Sequence, residues 1–347
     1  MPDYPIFDGH NDTLLRLYKN KDLSYKDFLT EMEDGHIDLP RSKKGGFAGG
    51  FFAIFVPNQQ MTIKPGSKPN SKLPKPLKLE YAQQTAMAMA SSLFKLEAES
   101  DGQIKVVRTA DELQHCIDND IFATIFHFEG AEAIDEDLYA LDVFYQAGLR
   151  SLGIVWSRPT IFGNGVPFLF PSSPDTGDGL TDAGKRLVKR CNELGIMLDL
   201  SHMNEKGFWD VAKLSDAPLV ATHSNVHALS ATPRNLTDKQ LDAIKASDGM
   251  VGLNFATGFL REDGKWDSDT PLETMVKHID YLVERVGENR VGFGSDYDGA
   301  GVPADVSDVS KLPNLIDALK GAGYGDSLLK KITHENWIRV LRKTWKS

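Results

Sequence analysis

The sequence predicts an α/β fold, one closed (β/α)8 TIM barrel with a surface insertion after its second strand. Three observations carry this. Apolar runs of strand length alternate with longer helix-like stretches over all 347 residues. Five of the runs end in a metal-ligand side chain: Phe7-Asp8-Gly9-His10-Asn11-Asp12, Ile125-Phe126-His127-Phe128-Glu129-Gly130, Leu198-Asp199-Leu200-Ser201-His202, Leu219-Val220-Ala221-Thr222-His223 and Val291-Gly292-Phe293-Gly294-Ser295-Asp296. Third, Gly9-His10-Asn11-Asp12 is not the glycine-rich phosphate loop that an open doubly wound sheet tends to carry after its first strand. A barrel of parallel strands gathers the C-terminal ends of its strands at one rim, where active sites sit. Side chains far apart in sequence would meet there.

Strands are expected near 4–8, 48–56, 121–128, 149–156, 195–201, 217–222, 248–255 and 290–295. Each is short, rich in Ile, Val, Leu, Phe or Gly, and bounded by turn residues. Between the second and third lies a helical stretch, 80–98, rich in Ala, Met and Leu and free of Gly and Pro. The stretch 181–194 opens with Thr181-Asp182, a helix-start signal. The stretch 271–287 opens with Pro271 and closes at Gly287, the usual placing of those two residues about a helix. The segment 57–79 stands apart. It carries Lys64, Lys68, Lys72, Lys75 and Lys78 among Pro65, Pro69, Pro74 and Pro76, and reads as an extended surface loop. With no linker and no internal repeat, residues 1–347 are expected to form a single domain.

Composition narrows the function. Hydrophobic residues are 41% and charged residues 25%, enough for a large core without disulfides. The formal net charge of −10 argues against a nucleic-acid binder, which would show a basic face. The two cysteines, Cys116 and Cys191, lack CxxC spacing and read as buried thiols in a reduced setting. Met1-Pro2-Asp3-Tyr4 is no signal peptide. No apolar run approaches the ~20 residues of a membrane span, and the polar C-terminus is no lipid-anchor signal. A cytoplasmic enzyme with a small-molecule substrate is expected, without nucleic-acid or membrane partners.

His10 and Asp12 lie two residues apart at a strand end, so alternation points both to one side. By itself that pattern is weak. Glu129 offers two oxygens, one to each of two metals. His127, two residues earlier, reads as packed or hydrogen-bonded, because the ligand count is complete without it. His202 and His223 end adjacent strand–helix units, each preceded by Ser or Thr, while His227 reads as a surface or supporting residue. Asp296 ends the last strand, where a carboxylate can take a proton from water and give it to a leaving amine. Asp298 is a close rival for that role, and Asp8 reads as support for His10. Arg234, in Thr232-Pro233-Arg234-Asn235, could grip a carboxylate with two prongs or cap a helix through a salt bridge. Both readings stay open on the residues alone. Two metals held by this set would predict metal-assisted hydrolysis.

With these residues assembled, the chain resembles the membrane (renal) dipeptidase family, metallopeptidases of the amidohydrolase superfamily. The resemblance runs from Asp8 to about Leu341. Its blocks are DGHND at 8–12, HFEGAEAI at 127–134, LDLSH at 198–202, THSN at 222–225, PRNLTD at 233–238, GSDYDG at 294–299 and ENWIRVL at 335–341. The resemblance implies a barrel with two zinc ions, one on His10 and Asp12, the other on His202 and His223, with Glu129 bridging. It implies a dipeptide substrate attacked by a hydroxide shared between the metals. Asp296 would shuttle the proton and Arg234 would clamp the dipeptide's C-terminal carboxylate. A homodimer is expected on the same ground alone.

The chain departs from this pattern at one strand end. Mammalian members carry a substrate-contacting histidine after the fourth strand, and here Trp156 takes that position. Arg158, two residues on, is a candidate to supply the missing positive charge, so Trp156 and Arg158 are expected to face the substrate. An aromatic residue after the seventh strand is replaced near Ala256. The departure keeps two rivals to a dipeptidase open. One is a binuclear-zinc amidohydrolase for N-acyl amino acids, lactams or small esters. The other is a non-catalytic metal-binding protein, for which Asp296 would be superfluous.

Overall fold

The computed structural model describes residues 4–20, 24–58 and 73–346. Among the described residues there are nine strands, β1 (Ile6–Asn11), β2 (Phe47–Phe55), β3 (Ile104–Val106), β4 (Phe122–Glu129), β5 (Ser151–Gly153), β6 (Met197–Asp199), β7 (Val220–Ala221), β8 (Met250–Leu253) and β9 (Val291–Phe293). Every pairing is parallel, in the order β2-β1-β9-β8-β7-β6-β5-β4-β3, and β2 also pairs with β4, which closes the ring. Gly49 to Phe55 run in register with Ala123 to Glu129 across that closure.

The expected eight-stranded barrel is present, with a ninth strand that the sequence pattern does not show. Strand β3 pairs only with the start of β4, Ile104 to Val106 against Phe122 to Thr124, and lies outside the ring. Three residues with one exposed lysine between two buried side chains leave no periodicity to detect. The barrel strands are buried on both faces, as β4 shows at all eight positions. Both-face burial is why they read as continuous apolar runs rather than alternating ones. The three anticipated helices span Leu79–Glu99, Asp182–Leu194 and Leu272–Val286. Lys64, Lys68 and Lys72 of the lysine- and proline-rich segment lie outside the described residues. Among the described residues no helix is long and apolar enough to cross a membrane.

The barrel interior is filled, not hollow. Phe7, Phe51, Ile125, Met197, Val220 and Met250 form an inner core with Trp337. Trp337 comes from the last helix, Asn336–Thr344, and is fully buried. Its indole N–H donates to the Phe293 carbonyl at 3.1 Å. A Cβ at Gly9, Gly252 or Gly292 would lie 2.5, 3.0 or 2.8 Å from that ring, so the three strands carry glycine where the indole enters. Side chains stacked at the lower end leave the upper rim for polar groups.

Candidate active site

Each polar residue at the rim is placed by the strand that delivers it. His10 is the fifth residue of β1 and has no exposed surface. Asp12 falls one residue past the strand, at the N-cap of the helix Thr13–Lys19, where its side chain caps nothing. Its Oδ2 lies 3.4 Å from His10 Nε2. Glu129 closes β4 and presents one oxygen to each side: Oε2 is 3.6 Å from His10 Nε2, and Oε1 is 3.0 Å from His202 Nε2 and 3.8 Å from His223 Nε2. The Nε2 atoms of His202 and His223 lie 3.1 Å apart. His10 and His223 stack with ring centroids 3.8 Å apart. The five residues expected as ligands are thus brought together, all buried, in groups that could hold an ion: Glu129 with His202 and His223, His10 with Asp12 and Asp296, and His10 with Asp199 and His223, which overlaps the other two.

The donor set fits a divalent cation. Neither nitrogen of His10 has a hydrogen-bond partner, although the ring is fully buried. An unpaired buried polar group is costly unless something else binds it. Burial opposes protonation of His10, but the Glu129 and Asp12 carboxylates hold its pKa well above the ordinary value. Burial, then the nearby Asp12, pushes the Glu129 carboxyl up to about 7. These are the marks of a pocket of negative charge needing a cation. His202 and His223 are driven the other way, far below the usual histidine pKa, by burial and by the nearby charges of Arg234 and His10. Neutral imidazoles are the form that binds metal.

The outer partners fix which nitrogen is free. Thr222 Oγ1 donates to Asp199 Oδ2 at 2.6 Å, so it accepts from His223 Nδ1 at 2.8 Å. That leaves the lone pair on His223 Nε2, facing Glu129. His202 Nδ1 is paired with Ser157 Oγ at 2.9 Å. Such partners orient metal-binding imidazoles and set their tautomer. His127 is paired through Nδ1 with Ser151 Oγ at 2.9 Å, and burial lowers its pKa to about 3. It packs edge-on to His10 at 5.5 Å.

Asp296 lies at the same rim with φ of 60°, and its backbone N–H donates to the His10 carbonyl at 3.0 Å. Asp8 braces this junction by accepting from the Ser295 N–H and hydroxyl at 2.6 and 2.8 Å. Asp298 points elsewhere: it accepts from Thr13, Arg16 and the His36 N–H. Arg234 is buried behind His223, donating from NH2 to the His223 carbonyl at 3.0 Å. Its Nε has no partner, NH1 reaches Ser224 Oγ only at 3.5 Å, and burial lowers its pKa to about 10. Among the described residues no carboxylate lies within ion-pair distance of it, so the helix-capping salt bridge is absent there and Nε is left unpartnered.

A cavity of about 120 Å³ opens onto Asp12, Glu129, His202 and Asp296. Leu15, Phe55, Trp156, Phe168, Phe259 and Trp266 wall it. A larger apolar groove of about 900 Å³ between helices Leu79–Glu99 and Tyr139–Ala147 has no such cluster of ligands and lies apart from this chemistry. Trp156 lines the cavity, its ring 5.9 Å from that of His202. Arg158 does not. It has no exposed surface and directs its guanidinium to Glu132, Asn58 and the Val56 carbonyl, because a fully buried cation must be paired within the protein. The expectation that Arg158 supplies positive charge to the substrate is corrected on this geometry. Sequence reasoning missed Asn254, which donates to Asp296 Oδ2 at 2.9 Å. A signal does exist: Asn254 ends the β8 run in a polar residue, as the ligands end theirs.

A buried set of imidazoles and carboxylates at the C-terminal rim of a closed parallel barrel is the arrangement in which such a fold carries metal-assisted hydrolysis. The family model for Membrane dipeptidase (Peptidase family M19) matches residues 1–346, and the chain belongs to that family of metallo-dipeptidases. It is similar to a metallo peptidase from Rhodobacter sphaeroides, solved with a phosphinate mimic of the dipeptide L-Ala-D-Ala. The two are 54% identical with a TM-score of 0.96, over 99% of each chain. A protein in the pqqA 5′ region of Klebsiella pneumoniae is 49% identical over 253 residues, 73% of this chain and 93% of its own. Dipeptidase tcpJ of Claviceps purpurea is 26% identical over 343 residues, 97% of this chain and 76% of its own.

Proposed function

We propose that this chain hydrolyses the peptide bond of dipeptides at a two-zinc centre, with His10 and Asp12 on one ion, His202 and His223 on the other, and Glu129 between them. The observation that carries this is the split of Glu129, one oxygen toward His10 and the other toward the histidine pair, with both His10 nitrogens unpartnered. Zinc bound there supplies Lewis acidity, lowering the pKa of water to about 7 and polarising the carbonyl under attack. Asp296, held by Asn254, takes the proton of the attacking water and returns it to the leaving amine. Arg234 binds the C-terminal carboxylate with its free donors. The aromatic wall excludes water from the reacting carbonyl and packs on the substrate side chains. The mimic of L-Ala-D-Ala carried by the Rhodobacter relative supports a D-residue at the C-terminal side. The two free buried cysteines support a reduced, cytoplasmic setting.

A second reading, an amidohydrolase for N-acyl amino acids, lactams or small esters, is favoured by Trp156 where mammalian relatives place a histidine. Both are tested by elemental analysis together with turnover on a mixed library of L-Xaa-L-Xaa and L-Xaa-D-Xaa dipeptides and N-acyl amino acids. Near two zinc per chain with dipeptides cleaved best supports the first reading. N-acyl amino acids cleaved best would move the substrate to the second. Failure to retain any zinc would overturn the metal centre.

A further inference from the structure

Arg158 joins three segments that the sequence keeps apart. Its Nε and NH2 donate to Glu132 Oε1 at 2.8 and 2.6 Å, NH2 to the Val56 carbonyl at 2.9 Å, and NH1 to Asn58 Oδ1 at 2.8 Å. Glu132 lies in the loop that leaves Glu129, while Val56 and Asn58 follow the end of β2. The guanidinium carbon lies 5.4 Å from the Phe55 ring and 5.5 Å from the Trp156 ring, and those two rings meet edge to face at 4.9 Å. Phe55 and Trp156 line the cavity. Arg158 therefore backs a wall whose front faces the substrate.

Stability alone does not account for such a pair. Replacing a buried ion pair by well-packed apolar side chains is often neutral or stabilising. What the guanidinium adds is fixed geometry: a planar fork on one carboxylate, with further donors set at defined angles. The cavity of about 120 Å³ is small, so the position of its wall decides which side chains enter.

We propose that Arg158, clamped by Glu132, is a positioning residue that sets substrate side-chain selectivity by holding the Phe55–Trp156 wall in place. The inference rests on the dipeptidase reading. Arg158 touches no substrate; it acts through the two rings.

The test compares the zinc-loaded wild type with Arg158→Met and Glu132→Gln on L-Ala-L-Ala, L-Leu-L-Ala and L-Ala-L-Leu, with bound metal measured in parallel. In both variants the kcat/KM ratio of the small to at least one bulky dipeptide should change fivefold or more, carried by KM, at unchanged metal content. In the double variant Trp156→Phe/Arg158→Met the two effects on that ratio should be non-additive, as expected of residues acting through one contact. Ratios within twofold of wild type, or additive effects, would overturn the proposal and leave Arg158 a purely structural residue. Should Arg158→Met fail to fold, Glu132→Gln alone decides, since it keeps the shape and one acceptor oxygen. A crystal structure of Arg158→Met, which removes every donor, gives a readout independent of activity: Phe55 and Trp156 should shift by about 1 Å, a displacement large enough to matter in an active site. Unmoved rings would refute the positioning role. If the wild type cleaves no dipeptide, the proposed function falls, and that crystal structure still decides whether the ion pair holds the wall.

Discussion

The side-chain amide of Asn254 donates to Asp296 Oδ2 at 2.9 Å, while its carbonyl oxygen accepts from the Ala256 N–H at 2.6 Å. The second bond fixes which end of the amide faces the carboxylate. One oxygen of Asp296 is held, and Oδ1 is left on the side of Gly299. Replacing Asp296 with Asn keeps the shape and removes the carboxylate proposed as the base. Asp296→Asn should lower kcat by roughly 10²- to 10⁴-fold, the usual contribution of a positioned acid–base group. Metal content by elemental analysis should stay at the wild-type level. Loss of metal would instead make Asp296 a ligand, a role its proximity to His10 and Asp12 also permits.

Arg234→Lys should damage substrate capture more than chemistry. Lysine keeps the charge but loses the fork that matches a carboxylate. We expect kcat/KM on dipeptides to fall about tenfold to a hundredfold, the scale of losing a hydrogen bond to a charged group. Dipeptide amides, which lack the carboxylate, should be poor substrates of the wild type and lose little further in the variant. An equal loss on both substrate types would remove the carboxylate clamp from Arg234.

Much of this site is legible in the amino-acid sequence itself. The apolar runs ending in His10, Asp12, Glu129, His202, His223 and Asp296 suffice, because strand ends in a parallel barrel share one rim. Arg158 is the exception, because proximity in sequence to Trp156 says nothing about which way a side chain turns after the strand. Two residues beyond Trp156 its guanidinium points back toward Glu132, a partner visible only once β2, β4 and β5 lie side by side. Strand β3 is silent for a different reason: three residues on the edge of β4 carry no pattern. Phe168, Phe259 and Trp266 reach the cavity from outside the barrel strands, where spacing gives no direction.

Gly299 is a sensitive point in the metal site. A Cβ there would overlap Asp12 Oδ2 and lie 2.7 Å from Asp296 Oδ1. Gly299→Ala should push Asp12 from its place and weaken metal binding by roughly 10- to 100-fold, the range seen for residues that orient ligands. Metal retention during dialysis against a graded chelator measures this. Wild-type retention would show that the loop yields without disturbing Asp12.

His278 predicts a pH dependence of stability away from the metals. It is buried on the helix Leu272–Val286, where Nε2 is 2.9 Å from the Leu260 carbonyl and Nδ1 accepts from the Val226 N–H at 3.2 Å. A proton on Nδ1 would face that N–H. Burial lowers the pKa from 6.5 to about 4, despite the bond to Leu260. The folded value lies below the unfolded one, so the neutral ring's stabilisation is complete above pH 6.5 and is lost as the pH falls through 6.5 toward 4. The loss amounts to about 3 kcal/mol. Melting temperatures from about pH 7 to pH 4 should fall more steeply for wild type than for His278→Gln. Parallel curves would assign the acid sensitivity to other groups.

Trp337 has a consequence for how the molecule is made. The niche for its indole is cut into β1, β8 and β9 by Gly9, Gly252 and Gly292, yet the tryptophan itself follows every one of the barrel strands in the chain. Strand β1 is shaped around a side chain that is translated only after all the other barrel strands. Filling that niche is a contact of large sequence separation, the kind that slows folding and leaves apolar surface open to chaperones until it forms.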